Sequence, residues 1–106
     1  MKKAIAALKP ATKRWVHRLR REYVLEDRHI RLLVAAGRLW DQAEECRSII
    51  EKEGSLAVDR FGQTKAHPAV EMERVSLIGF SKLLREVGLD LSRPDDPRPP
   101  SRPGGY

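Results

Sequence analysis

The chain has 106 residues, 41% hydrophobic and 34% charged, with a net charge of +6. That length leaves room for one domain and no more. A single cysteine, Cys46, excludes an intrachain disulfide and fits a reducing cytosol, and no apolar run approaches the roughly eighteen residues of a membrane span.

The positive charge is a property of one end. Residues 1–21 hold Lys2, Lys3, Lys9, Lys13, Arg14, Arg18, Arg20 and Arg21 with no acid, whereas the remaining 85 residues carry thirteen Lys or Arg against fifteen Asp or Glu. Such asymmetry points to a polyanionic partner, which on charge alone is DNA, RNA or anionic lipid. A solvated basic tail is the alternative, and the nucleic-acid reading is preferred to it.

The start, MKKAIAALKP, has a cationic beginning and five apolar residues that stop at Lys9-Pro10. This is too short for the apolar core of a signal peptide. Residues 1–10 are weakly specified and are expected to form a flexible basic N-terminus.

A first helix is predicted over 11–23. Pro10 suits a first helical turn, where its missing N–H is no loss. Trp15, Val16, Leu19 and Tyr23 share one face, and Lys13, Arg14, His17, Arg18 and Arg21 occupy the others.

Val24-Leu25 breaks the pattern. Glu26-Asp27 begins a second helix predicted over 27–53, ended by Gly54. At about 1.5 Å per residue it is roughly 40 Å long. It carries two apolar stripes: Leu32, Ala36, Leu39, Ala43, Cys46 and Ile50 form one, and Ile30, Leu33, Gly37 and Trp40 the other. One stripe serves the core of the chain. The second implies a neighbouring subunit, so Leu32, Ala36, Leu39, Trp40, Ala43 and Ile50 are the candidate subunit contacts.

Residues 55–67 lose helical periodicity and predict a short hairpin or an irregular loop. His67-Pro68 opens a third helix over 68–87, capped by Gly88, with Met72, Val75, Leu77, Phe80, Leu83, Leu84 and Val87 as its apolar surface. Gly79, mid-helix, costs about 1 kcal/mol against alanine and suggests a close helix approach. Residues 92–106 contain five prolines, two glycines and no aliphatic residue. They are expected to be a disordered tail. The fold class is therefore all-α, with 11–91 as a helical oligomerisation and DNA-binding domain. A chain with so thin a core gains stability by oligomerising.

Catalytic signatures are missing. The sequence has no GxxxxGK[ST], GxGxxG or GxSxG. Cys46, His17, His29 and His67 do not have metal-ligand spacing. Cys46 sits on an apolar stripe as a small core residue. Asp41 and the pair Glu44-Glu45 read as a solvated helix face, and Asp95-Asp96 falls in the tail. His67 reads as a cap at a helix start. Trp40 reads as a packing anchor, and Trp15 as core in preference to a base-stacking platform. Neither a cofactor nor a metal is expected. The strongest functional signal is the basic helix, where Arg14, Arg18 and Arg21 can track a phosphate backbone with help from Lys2, Lys3, Lys9, Lys13 and Arg20.

The order of features carries a resemblance. A basic helix with a tryptophan precedes Tyr23-Val24-Leu25-Glu26-Asp27. A long helix then ends Ile49-Ile50-Glu51-Lys52-Glu53-Gly54. Gly62-Gln63-Thr64-Lys65-Ala66-His67-Pro68-Ala69 follows, and the last helix closes Leu83-Leu84-Arg85-Glu86-Val87-Gly88-Leu89 before a serine, arginine and proline. From about Thr12 to Pro94 this resembles the terminase small subunit family of tailed double-stranded DNA phages, in its compact branch with a G-x-x-K-x-[HN]-P-A loop.

The resemblance implies a non-catalytic packaging subunit. It would form a ring-shaped homo-oligomer larger than a dimer, bind double-stranded viral DNA in the cytoplasm of the bacterial host, and present that DNA to a large subunit carrying the ATPase and nuclease. It also implies that Arg93–Tyr106 touches the large subunit. Many members are longer at the N-terminus than this chain. A small dimeric DNA-binding transcriptional regulator is the alternative; a ring needs two different contact surfaces per subunit, a dimer one self-complementary patch.

Overall fold

The computed structural model describes residues 2–88. They form, in chain order, α1 (Lys2–Ala6), α2 (Pro10–Glu22), α3 (Asp27–Glu53), β1 (Leu56–Val58), β2 (Thr64–Ala66) and α4 (Pro68–Val87). The fold is mostly helical, as the periodicity predicts, and the three long helices begin and end within one residue of their expected bounds. The proposed tail at 92–106 lies outside the described residues.

Local chemistry explains the boundaries. Helix α2 starts on Pro10, and the backbone turns extended at Tyr23, φ −125° and ψ 148°. Helix α3 starts with a capping box: the Glu26 side chain accepts from the His29 backbone, and His29 Nδ1 accepts the Glu26 N–H at 3.1 Å. It ends at Gly54, whose φ of 85° and ψ of 164° fall in a region open essentially to glycine alone. His67 caps α4 as expected, its Nδ1 accepting the Ala69 N–H at 3.0 Å while Nε2 meets Glu53 Oε1 at 3.1 Å.

Residues 55–67 form the hairpin. The strands pair antiparallel, with Leu56 opposite Ala66 and Val58 opposite Thr64. Asp59 shapes the turn: its Oδ1 accepts from the Phe61 and Gln63 N–H groups at 2.8 and 3.0 Å.

Helices α3 and α4 pack antiparallel, with Leu39 against Gly79, Gln42 against Ser76 and Arg47 against Glu73. Helices α1 and α2 fold onto the other side of α3. The core gathers Trp15, Val16 and Leu19 from α2, Leu33, Val34, Ala36 and Trp40 from α3, and Phe80, Leu84 and Val87 from α4. Phe80 sits between the two tryptophans, its ring centre 6.0 Å from Trp15 and 5.1 Å from Trp40. A smaller cluster of Cys46, Ile50 and Ala69 closes the hairpin end.

Two expectations are corrected. The segment expected to be flexible over 1–10 is ordered in its described residues, 2–10: Lys2–Ala6 is helical, and Ile5 and Leu8 are buried in the core. Gly37 makes room for Leu8, since a Cβ there would lie 2.8 Å from Thr12 Cγ2 and 3.4 Å from Leu8 Cδ1. The second correction concerns the two stripes of α3. Ala36, Trp40, Ala43 and Ile50 are buried inside the chain, and Leu32 and Leu39 pack partly buried against the same core. The stripe through Leu39 faces α4, and the stripe through Gly37 faces α1 and α2. The helices of one chain therefore cover both stripes, and neither is left for a neighbouring subunit.

Candidate nucleic-acid interface

Burial fixes how α2 sits. Thr12, Trp15, Val16 and Leu19 point inward. At about 100° per residue, these four span roughly a third of the helix circumference. The opposite arc holds Lys13, Arg14, His17, Arg18, Arg20 and Arg21. Arg14, His17, Arg20 and Arg21 are exposed, and Lys13 and Arg18 are half-buried at the margins. The helix contains no acid before Glu22, its last residue.

Among the described residues, Lys3, Lys9, Lys13, Arg14, Arg20 and Arg21 make no ion pair. Several charges elsewhere are matched. Arg28 pairs with Glu26 and Arg31 with Asp27, Lys65 with Asp59, and Arg74 with Glu71. Lys3 and Lys9 are exposed and extend the cationic surface towards the N-terminus, where Lys2 opens α1. The predicted basic residues are thus gathered on α1, α2 and the turn between them, with Arg14 and Arg21 facing outward and Arg18 beside them.

Asp41 departs from its sequence reading as a solvated residue of α3. Its Oδ2 accepts the Lys9 N–H at 2.9 Å and its Oδ1 accepts the Thr12 hydroxyl at 2.6 Å. Lys9, the residue before α2, offers no side-chain cap of its own. A carboxylate from α3 therefore caps the N-terminus of the basic helix and pins it to the scaffold. The spacing of 29 to 32 residues leaves no local signal in sequence; the hint is the absence of Ser, Thr, Asp or Asn just before α2.

Two other polar residues are internal. Glu73 is buried and forms a two-point contact with Arg47, at 2.9 and 3.0 Å, that joins α4 to α3. Glu44, which reads as solvated in the sequence, is also buried. Cys46 is buried as expected, and its thiol is pushed above its usual range by burial first, then by Glu73 and Glu45.

Among the described residues no group of His, Cys, Asp and Glu is arranged to hold a metal ion, and no helix is long and apolar enough to cross a membrane. A shallow depression beside Lys9 and Arg38 is also lined by Asp41 and Glu45, so it offers an anion no uniform field.

Fold and surface together define a small helical protein that presents one cationic helix face on a rigid two-helix support. No family model, no curated protein and no solved structure matches the chain.

Proposed function

We propose that the protein binds duplex DNA non-catalytically through α2 and acts, as its resemblance to terminase small subunits implies, as a self-assembling adaptor that delivers viral DNA to a separate motor and nuclease subunit in the host cytoplasm. The observation that carries the DNA-binding reading is the outer face of α2. It holds five Lys or Arg residues and no acid before Glu22, while its inner face is locked into the core. The thirteen residues of α2 make a rod of about 20 Å, long enough to follow the phosphates of about six base pairs at roughly 3.4 Å per step.

Such a surface reads charge and not base sequence. Lys3 and Lys9 lengthen the contact, and assembly of several copies multiplies weak single contacts into avidity. The chemistry of packaging belongs to the partner: no phosphate-binding loop occurs in the sequence.

The test is fluorescence anisotropy with duplexes of unrelated sequence, comparing wild type with the variant Arg14→Gln/Arg18→Gln/Arg21→Gln. Binding to every duplex should weaken roughly tenfold or more at low salt, with oligomer mass by light scattering unchanged. Equal affinity in the variant would refute the assignment to α2. Adding the wild-type protein should change the ATPase rate of its large-subunit partner, and the purified chain alone should hydrolyse no ATP.

A further inference from the structure

With both stripes of α3 covered internally, the surfaces left for self-assembly lie elsewhere, and two stand out. The hairpin exposes Leu56 at 62%, Val58 at 70% and Phe61 at 72%. Leu56 and Val58 share one face of β1, because strand residues two apart point the same way, and Phe61 extends the patch at the turn. Arg60 lies over the Phe61 ring, 4.9 Å from its centre.

The second patch follows one seam between α3 and α4. Gln42 bonds Ser76 across it, and Leu39 lies against Gly79. Beside these contacts, Ile49, Met72 and Val75 are exposed at 38%, 50% and 55%. Helical spacing aligns exposed Gln42 and Ile49 on α3 beside exposed Met72 and Val75 on α4.

We infer that the hairpin of one copy docks on the α3/α4 seam of the next, so that the chain assembles head to tail; this rests on the self-assembly in the proposed function. Area supports a second copy as the occupant. At roughly 200 Å² per side chain, the exposed fractions leave about 400 Å² of apolar surface on the hairpin, in the range of functional patches, and about 290 Å² on the seam. Bringing both together buries up to about 690 Å² of apolar area, which at about 57% apolar content corresponds to an interface of roughly 1,200 Å². Stable complexes bury about 1,200–2,000 Å².

Charge supports it as well. The hairpin carries Arg60 and Lys65 against Asp59, whereas α3 exposes Glu45 beside the seam. A net cationic hairpin thus meets an exposed carboxylate, Glu45, one turn from Ile49. The two patches lie on different elements, so the contact is heterologous. Repetition of such a contact closes a ring or extends a chain, and does not stop at a dimer.

A complementation experiment tests this. Val58→Lys/Phe61→Lys disables the hairpin and Met72→Lys/Val75→Lys disables the seam; all four positions are exposed, and circular dichroism checks that helix content is kept. Light scattering at micromolar concentration should find wild type larger than a dimer and each variant monomeric. An equimolar mixture of the two variants should form dimers and nothing larger, because it restores one intact hairpin-on-seam contact per pair. If a Lys variant loses its helix signal, Phe61→Ser and Val75→Ser replace the pairs with the same expected pattern. Variants that assemble like wild type would overturn this contact and leave self-assembly standing. Monomeric variants whose mixture stays monomeric would overturn the pairing of hairpin with seam. A monomeric wild type would remove self-assembly itself, and this contact with it.

Discussion

Replacing Asp41 by alanine separates the basic helix from its support. The carboxylate makes two hydrogen bonds that alanine cannot: to the Lys9 N–H at 2.9 Å and to the Thr12 hydroxyl at 2.6 Å. Removing a helix cap costs about 0.5–2 kcal/mol. Thr12 is only 2% exposed, so its hydroxyl would be left without a partner away from water, a further ~1–3 kcal/mol. Together Asp41→Ala should cost about 1.5–5 kcal/mol, a large share of the roughly 5–15 kcal/mol that holds a domain folded.

The assay is urea unfolding followed by tryptophan fluorescence, since Trp15 and Trp40 both sit at the junction. Asp41→Asn keeps an acceptor and should cost less than half as much. Thr12→Val and the double variant complete a thermodynamic cycle, with an expected coupling of about 1 kcal/mol or more. An Asp41→Ala protein within about 0.5 kcal/mol of wild type would refute the claim that this carboxylate anchors α2.

Three further outcomes follow from the geometry. Gly37→Ala should destabilise by about 1–3 kcal/mol on equilibrium unfolding, because the new Cβ would lie 2.8 Å from the Cγ2 of a buried Thr12 held by Asp41. Gly79→Ala should instead be neutral or stabilising by up to about 1 kcal/mol: the new Cβ would meet the end of the Leu39 side chain at 2.9 Å, which can rotate away while helix propensity improves. Asp59 is held below its usual range chiefly by the Gln63 N–H, then by the Phe61 N–H and Lys65, against an opposing effect of desolvation. Because its folded value is depressed, its contribution is present above the ordinary value of 3.8 and disappears as pH falls through the lower folded value. Amide NMR should therefore show the hairpin fraying below that range while α3 and α4 persist.

Much of this fold is readable from one sequence, because the long helices carry both signals that matter. Periodic apolar residues mark α2, α3 and α4, and Pro10, Gly54, Pro68 and Gly88 punctuate them. Helix α1 leaves no such mark: five residues form no stable helix alone, and this one exists because Ile5 and Leu8 are buried in the core, Leu8 against Gly37.

Periodicity also counts apolar faces without saying what covers them. Two stripes on α3 imply an external partner, yet α1 and α2 fold back to meet one and α4 the other. The buried polar residues are hidden for the same reason. Asp41 and Glu73 find their partners 26 to 32 residues away, so each looks like a surface charge until the helices are packed. The cationic face is legible because it depends only on local spacing: eight cations without an acid in residues 1–21 stay near one surface however the rest packs.

The central claim is that α2 binds duplex DNA through its phosphates, and the salt dependence of binding tests it most directly. The slope of log affinity against log salt changes by about 0.9 for each phosphate that a cation neutralises. Replacing Arg14, Arg18 and Arg21 by glutamine should therefore make the slope shallower by up to about 2.7 per engaged subunit, equally on unrelated sequences. An unchanged slope, or binding by wild type that does not weaken with salt, would contradict it.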